Sequence, residues 1–399
     1  LAAVGICGPI VTLLSSFGTL VGIGGSIWLS MCLGQKNEKR ASQILYNSFV
    51  MLVVLSICLT LGFILLKHNL IYWFGGSDAI YPYANTYLTI YTLGTFFALM
   101  SIGLNYFITG QGYATIAMLS VCIGAITNII FDFILIRTLK IGVAGAAIGT
   151  VVAQFISCMF VLCFLRFKSK IKLHKEELSI EKMKHIVKLG FSPFLIIASD
   201  SIILIVMNMM LQKYGGNMGD IYISAITVAQ SYFLLITGPL LGISSGTQPI
   251  FAYHFGSQNL KKIKEAFKIV ISFAFLFCLV MFIISMCYSN VFVAIFTSDA
   301  MTMPIADRAI KIFCLGILMM SIQYVLVDGI TGLSNVKLSL FLSLNRKLMY
   351  LGCTCLLPAF LGVSNIFYAQ PIADIYASIV TIVCFIKIIP SYLKSHGVK

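Results

Sequence analysis

Stretches of roughly 20 or more apolar residues recur along the chain, at about 1–33, 43–66, 84–110, 113–137, 141–166, 186–212, 221–252, 266–288, 307–333, 336–361 and 365–389. At a rise of 1.5 Å per residue, each is long enough to cross ~30 Å of hydrocarbon as a helix. A backbone in lipid must satisfy its own N–H and C=O groups, which leaves helices or closed barrels. A barrel needs ~10-residue segments of strict alternation, and none is visible. Composition excludes a soluble fold: 59% of the 399 residues are apolar and 10% charged, against about 25% charged in soluble domains. The sequence therefore predicts an all-α polytopic membrane protein with eleven transmembrane helices.

The net charge of +14 follows from the loops rather than from a nucleic-acid partner. Lys36, Lys39, Arg40, the stretch from Arg166 to Lys188, Lys261, Lys262, Lys264, Lys268, Lys337 and the C-terminal lysines alternate with loops holding only Lys67, Arg137, Lys140, Lys213, Arg308 and Lys311. Positive loops face the cytoplasm, which puts the C-terminus inside and Leu1 outside. The 12 cysteines form no CxxC pair and no metal-spaced cluster with histidine. His68, His174, His185, His254 and His396 lie in or beside loops. No Walker A, GxSxG, HExxH or dinucleotide fingerprint is present. ATP-driven pumping, hydrolase chemistry and a bound organic cofactor are thus not expected, nor is an enzyme.

An internal repeat organises the chain. Phe74, Pro82, Leu93-Gly94 and Thr109-Gly110 recur as Phe296, Pro304, Leu315-Gly316 and Thr331-Gly332, all at an offset of 222. Ser77-Asp78-Ala79 matches Ser298-Asp299-Ala300 one residue out of register, and the loop from Gly34 to Ala41 aligns with that from Gly256 to Ile263. One offset over several separated anchors divides the chain into 1–166, a cytoplasmic linker 167–185 and 186–399. The second half holds six spans and the first five, so a further helix is expected before Leu1. Six crossings per half give two parallel six-helix bundles related by an axis along the membrane normal, a transporter architecture.

Carboxylates inside hydrocarbon are expensive and mark pathways or partners. Asp132 lies about eight residues from the turn near Lys140, ~12 Å deep, with Asn128 one turn earlier on the same face and Thr150 at similar depth on the next helix. Carboxylate, amide and hydroxyl oxygens suit a hard cation such as Na⁺, and a desolvated carboxylate alone can carry H⁺. The alternative is a hydrogen-bonded Asp132–Asn128 pair holding two helices together. Asp200 is also near the midplane and Asp374 is ~14 Å deep. Asp328, six residues from the cytoplasmic end, reads as a solvated rim residue. Gly142, Gly145 and Gly149 form a small-residue packing face. Met207, Met209, Met210, Met319 and Met320 either line an adaptable pocket or pack the core.

Gly246-Thr247-Gln248-Pro249-Ile250 followed by Tyr253-His254-Phe255-Gly256, and Thr127-Asn128-Ile129-Ile130-Phe131-Asp132 followed by Gly142-Val143-Ala144-Gly145 and Gly149-Thr150, resemble motifs of the multidrug and toxic compound extrusion (MATE) family. Gln370-Pro371-Ile372-Ala373-Asp374 is similar to the last helix of its bacterial drug-efflux branch. The likeness covers the whole chain from the family's second helix. It implies a cation-coupled antiporter, driven by H⁺ or Na⁺, that exports amphipathic, often cationic compounds from a bacterial cell as a monomer in the cytoplasmic membrane. It also implies that Asn128, Asp132 and Thr150 match one branch's cation site and Asp200 an acidic position of another. Three departures stand out. No Arg precedes Gly110, His254 replaces the usual Asn, and Gln323 stands where one branch carries an acid. Two other readings stay open. A lipid-linked saccharide flippase would need a basic cavity, yet only Arg346-Lys347 is intramembrane; a membrane-embedded enzyme or scaffold would need clustered catalytic groups.

Overall fold

The computed structural model describes residues 2–73, 81–296 and 299–398. Among them the chain is helical, without strands: α1 (Ala2–Gly34), α2 (Glu38–Trp73), α3 (Tyr81–Leu93), α4 (Thr95–Gly110), α5 (Ala114–Asp132), α6 (Val143–Cys163), α7 (Ile180–Gly215), α8 (Gly219–Gly256), α9 (Leu260–Phe296), α10 (Thr302–Cys314), α11 (Ile317–Gly332), α12 (Val336–Leu361) and α13 (Ala369–Ser395). Seven helices are long and apolar enough to cross a membrane, and nine if the bent pairs α3–α4 and α10–α11 each count as one span. At 1.5 Å per residue α7 and α12, of 36 and 26 residues, reach ~54 and ~39 Å; they carry the intramembrane charges Asp200, Arg346 and Lys347. Eleven helical columns result among the described residues, with large apolar side chains such as Leu65, Ile295 and Phe360 turned outward. This is an all-α integral membrane protein.

Two of the repeat anchors turn out to be bends. The α3–α4 pair bends by 54° at Gly94 and the α10–α11 pair by 49° around Gly316. Each glycine lets a neighbouring helix in: a β-carbon at Gly94 would sit 2.5 Å from the Val151 side chain of α6, and one at Gly316 would sit 3.0 Å from the Pro371 backbone of α13. The same offset relates the turns. Backbone φ is positive at Lys36 (58°) and Gln258 (57°), at Gly112 (89°) and Ser334 (64°), and at Lys140 (55°) and Gly362 (91°). Such angles are uncommon outside glycine, so three pairs 222 residues apart are a strong mark of one ancestral turn set. Capping repeats as well: Asn37 Oδ1 accepts from the Arg40 N–H and Asn259 Oδ1 from the Lys262 N–H, both at 3.0 Å. The anchors Phe74, Ser77-Asp78-Ala79 and Ser298 lie outside the described residues, as does Leu1.

The chain forms two compact units, Leu1–Ala198 and Ser199–Lys399. The division falls inside α7 rather than in the polar stretch 167–185, because that stretch is fastened to the first unit. The Gln111 amide brackets Ile171, donating to its carbonyl at 3.2 Å and accepting from its N–H at 2.7 Å. Asn47 does the same for the next few residues, donating to Glu177 O (3.0 Å) and accepting from Ser179 N–H (2.9 Å). Helix α1 runs unbroken through Gly22, Gly24 and Gly25, and Gly22 lets α4 approach at Gly103. Close packing at small residues is what joins helices where lipid removes the hydrophobic drive. Met207 and Met320 are fully buried core, whereas Met209 and Met319 are exposed, so the methionines do not line one pocket.

Candidate functional site

In the first unit α5 ends at Asp132 and the backbone continues as a wider π turn over Phe133–Thr138, a distortion common at functional positions. Asn128 Nδ2 donates to Thr150 Oγ1 at 3.4 Å, and that hydroxyl donates to Ala146 O at 2.9 Å. Tyr87 on α3 reaches the same hydroxyl. Asp132 packs against Gly149, the residue before Thr150. Its Oδ1 is buried and has no hydrogen-bond partner among the described residues. The structure thus brings Asn128, Asp132 and Thr150 to one α5–α6 contact, with the amide bonded to the hydroxyl rather than to the carboxylate. A buried carboxylate oxygen without a donor is costly, and a cation or proton is what such an oxygen accepts. The donor set of carboxylate, amide and hydroxyl oxygens fits a hard monovalent ion.

A cavity of about 430 Å³ opens beside this contact between α4, α5 and α6, lined by Asn128, Thr150, Gln154, Ser157, Asn105 and Ser120 among others. Its size falls in the range of small-molecule sites. Gln154 Nε2 donates to the buried Tyr91 hydroxyl at 3.0 Å and leaves Oε1 buried without a partner. Gln154 was not among the residues picked from sequence. Its signal was available, since it lies one turn beyond Thr150 on the same face of α6.

The second unit is organised differently. Asp374 on α13 is fully buried, accepting from Arg346 Nη1 (2.9 Å) and Gln370 Nε2 (2.7 Å). Arg346 also donates to the Tyr324 hydroxyl (3.0 Å) and stacks over that ring at 5.0 Å. Lys347, the next residue of α12, is ion-paired with Asp200 of α7. Both candidate acids of this unit are therefore neutralised by neighbouring cations. Gln323 is buried, with Oε1 unpartnered, and it adds no charge. Asp328 is not a solvated rim residue: Gln248 Nε2 donates to its Oδ1 at 2.8 Å and Oδ2 is buried. The reason is that α8 and α11 pack tightly there, a β-carbon at Gly332 falling 2.7 Å from Gln248 O. No group of three or more His, Cys, Asp or Glu able to hold a metal ion occurs among the described residues.

Two helical units with repeated bends and turns, each burying charge between helices, define an integral membrane protein of transporter architecture. The MatE family model matches residues 1–134 and 197–351, and the chain belongs to the MATE family. The multidrug export protein MepA of Staphylococcus haemolyticus (strain JCSC1435) is 25% identical over 382 residues, 94% of this chain and 82% of that protein. MepA of Staphylococcus aureus (strain MRSA252) is 22% identical over 379 residues with the same coverage. Among solved structures, an outward-facing multidrug resistance MATE family transporter of the MOP superfamily superposes with a TM-score of 0.92 at 23% identity, over 99% of this chain and 89% of that one. A MOP superfamily transporter from Pyrococcus furiosus Vc1 (DSM3638) gives 0.93 at 22% identity, over 99% and 88%. At these identities the solved structures establish the fold.

Proposed function

We propose that the chain is a cation-coupled antiporter that exports small amphipathic, often cationic compounds across a bacterial cytoplasmic membrane by alternating access. Membership of the MATE family and similarity to proteins named for multidrug export support export of such compounds. The observation that carries the coupling is the orphaned Asp132 Oδ1 beside the Asn128–Thr150 pair. A ligand shifts a two-state equilibrium only by its differential affinity for the two states. Asp132 supplies such a difference because its charge needs a partner whenever water is excluded. Either the coupling ion, H⁺ or Na⁺, or the cationic group of the compound neutralises it, so their occupancies exclude one another. Asn128 and Thr150 contribute neutral oxygens to the ion, and the adjacent cavity takes the apolar body. The distribution of basic loops supports a cytoplasmic C-terminus, and the reading takes the protein as a monomer.

A lipid-linked saccharide flippase would require cations free to hold a pyrophosphate. Arg346 and Lys347 are instead matched one to one by Asp374 and Asp200. Dye efflux from vesicles carrying the protein, under separately imposed Na⁺ and H⁺ gradients, tests the reading. One gradient is expected to drive efflux and Asp132→Asn to abolish that dependence. Gradient-driven efflux unchanged in Asp132→Asn would contradict it.

A further inference from the structure

A cavity of about 300 Å³ lies in the first unit between the start of α2 and the stretch 167–185, lined by Lys39, Ser42, Lys170, Lys172, His174 and Glu176 among others. Its wall is fixed: Gln111 and Ser169 bond to Ile171, which is buried between the two exposed lysines of the stretch. The acids at the cavity are already engaged. Glu176 accepts from the Ser42 hydroxyl at 2.9 Å and lies 2.9 Å from His174 Nε2, and Glu38 pairs with Lys170 at 2.8 Å. Lys39 and Lys172 have no ion-pair partner among the described residues. Two ammonium groups therefore converge on one concave site without a carboxylate to neutralise them.

The depth of the cavity indicates what supplies the anion. Ser42 comes just before the apolar run 43–66 of α2, and Lys170 follows closely on the end of the run 141–166 of α6. The cavity thus lies where hydrocarbon gives way to lipid headgroups. Around it Phe167, Leu178 and Ile180 are exposed, apolar side chains set among lysines, as in segments that rest on an anionic bilayer surface. We propose that the cavity binds the phosphate of an anionic phospholipid headgroup, with Lys39 and Lys172 donating to its oxygens in charge-assisted hydrogen bonds. One lipid held in this way bridges α2 and the stretch 167–185 and adds to the fastening by Gln111 and Asn47. The site lies apart from Asp132 and does not depend on which compound the chain exports.

Native mass spectrometry of the purified full chain with phosphatidylglycerol or with phosphatidylcholine reads the affinity for each lipid. Removing one lysine, in Lys39→Gln or Lys172→Gln, is expected to weaken phosphatidylglycerol binding about fivefold, and removing both about 25-fold, the scale of basic residues at an anionic surface. Binding of phosphatidylcholine should be much weaker than that of phosphatidylglycerol in the wild type and comparable to it in the double glutamine variant. Lys39→Arg combined with Lys172→Arg keeps both charges and is expected to keep the preference. Lys175→Gln changes an exposed lysine of the same stretch that does not line the cavity, and it should leave binding unchanged. As much loss in Lys175→Gln as in Lys172→Gln would show diffuse attraction to a basic surface and overturn the site. Equal binding of the two lipids by the wild type would overturn it as well. Displacement of phosphatidylglycerol by millimolar inorganic phosphate would overturn the assignment to a lipid. These substitutions fall on exposed side chains, and circular dichroism confirms that each variant compared is folded.

Discussion

The Asp132 carboxylate occupies the space that a β-carbon on Gly149 would fill. An acid on α5 and a glycine on α6 thus form one contact, and the residue after the glycine, Thr150, is bonded to Asn128 one turn before the acid. The small-residue face around Gly149 therefore borders the candidate site as well as serving as a packing surface.

Gly149→Ala is expected to displace Asp132 and cut gradient-driven efflux by about tenfold or more, since overpacking at such a contact costs about 1–3 kcal/mol. Gly145→Ala, which meets Leu135 on the same face, serves as a comparison and should lower thermal stability without altering ion dependence. Efflux and melting temperature of both variants at matched expression distinguish the two effects.

The Arg346–Asp374 pair should behave as a buried structural unit. Asp374→Leu or Arg346→Met alone is expected to destabilise by about 3–5 kcal/mol, because each leaves an uncompensated buried charge, while the double variant should recover most of the loss. Thermal unfolding in detergent of the three variants reads this out. Equal losses in single and double variants would place the stabilisation elsewhere.

Gln111→Ala and Asn47→Ala each remove two hydrogen bonds that fasten the stretch 167–185 to the first unit, each bond worth about 1 kcal/mol. Faster tryptic cleavage in this lysine-rich segment is the expected outcome, with helix content unchanged by circular dichroism.

Asp299 lies between spans and accepts from both the N–H (2.9 Å) and the hydroxyl of Thr302 at the start of α10. Those donors hold its carboxyl below the usual carboxylate range. The group therefore contributes stability above its unfolded value near pH ~4, and loses it as pH falls through the lower folded value. Asp299→Ala should lower the melting temperature at pH 7, with the gap to wild type narrowing as pH falls below ~4. A gap independent of pH would contradict this.

Much of the architecture was legible before any coordinates. Lengths of the apolar runs foretold the helical columns, and the 222-residue offset matched Gly94 with Gly316 and Lys36 with Gln258. That these glycines bend their helices was not legible, because the bend depends on Val151 and Pro371 arriving from elsewhere. The meeting of Asn128 with Thr150 followed from helical rise alone. The pairing of Asp200 with Lys347 did not, since 147 residues separate them and nothing local aligns them. The burial of Asp328 was not legible for a related reason: its position along α11 puts it near a helix end, whereas its burial comes from α8.

In the proposed mechanism Asp132 is held by the coupling ion or by the exported compound, never both. Substrate added to the purified, ion-loaded protein in weakly buffered solution should release H⁺, seen with a pH dye, or Na⁺, seen as ²²Na lost from the protein. About one ion per substrate is expected to leave the wild type and none to leave Asp132→Asn. Equal release from Asp132→Asn, or substrate binding to the wild type with no ion released, would contradict the account.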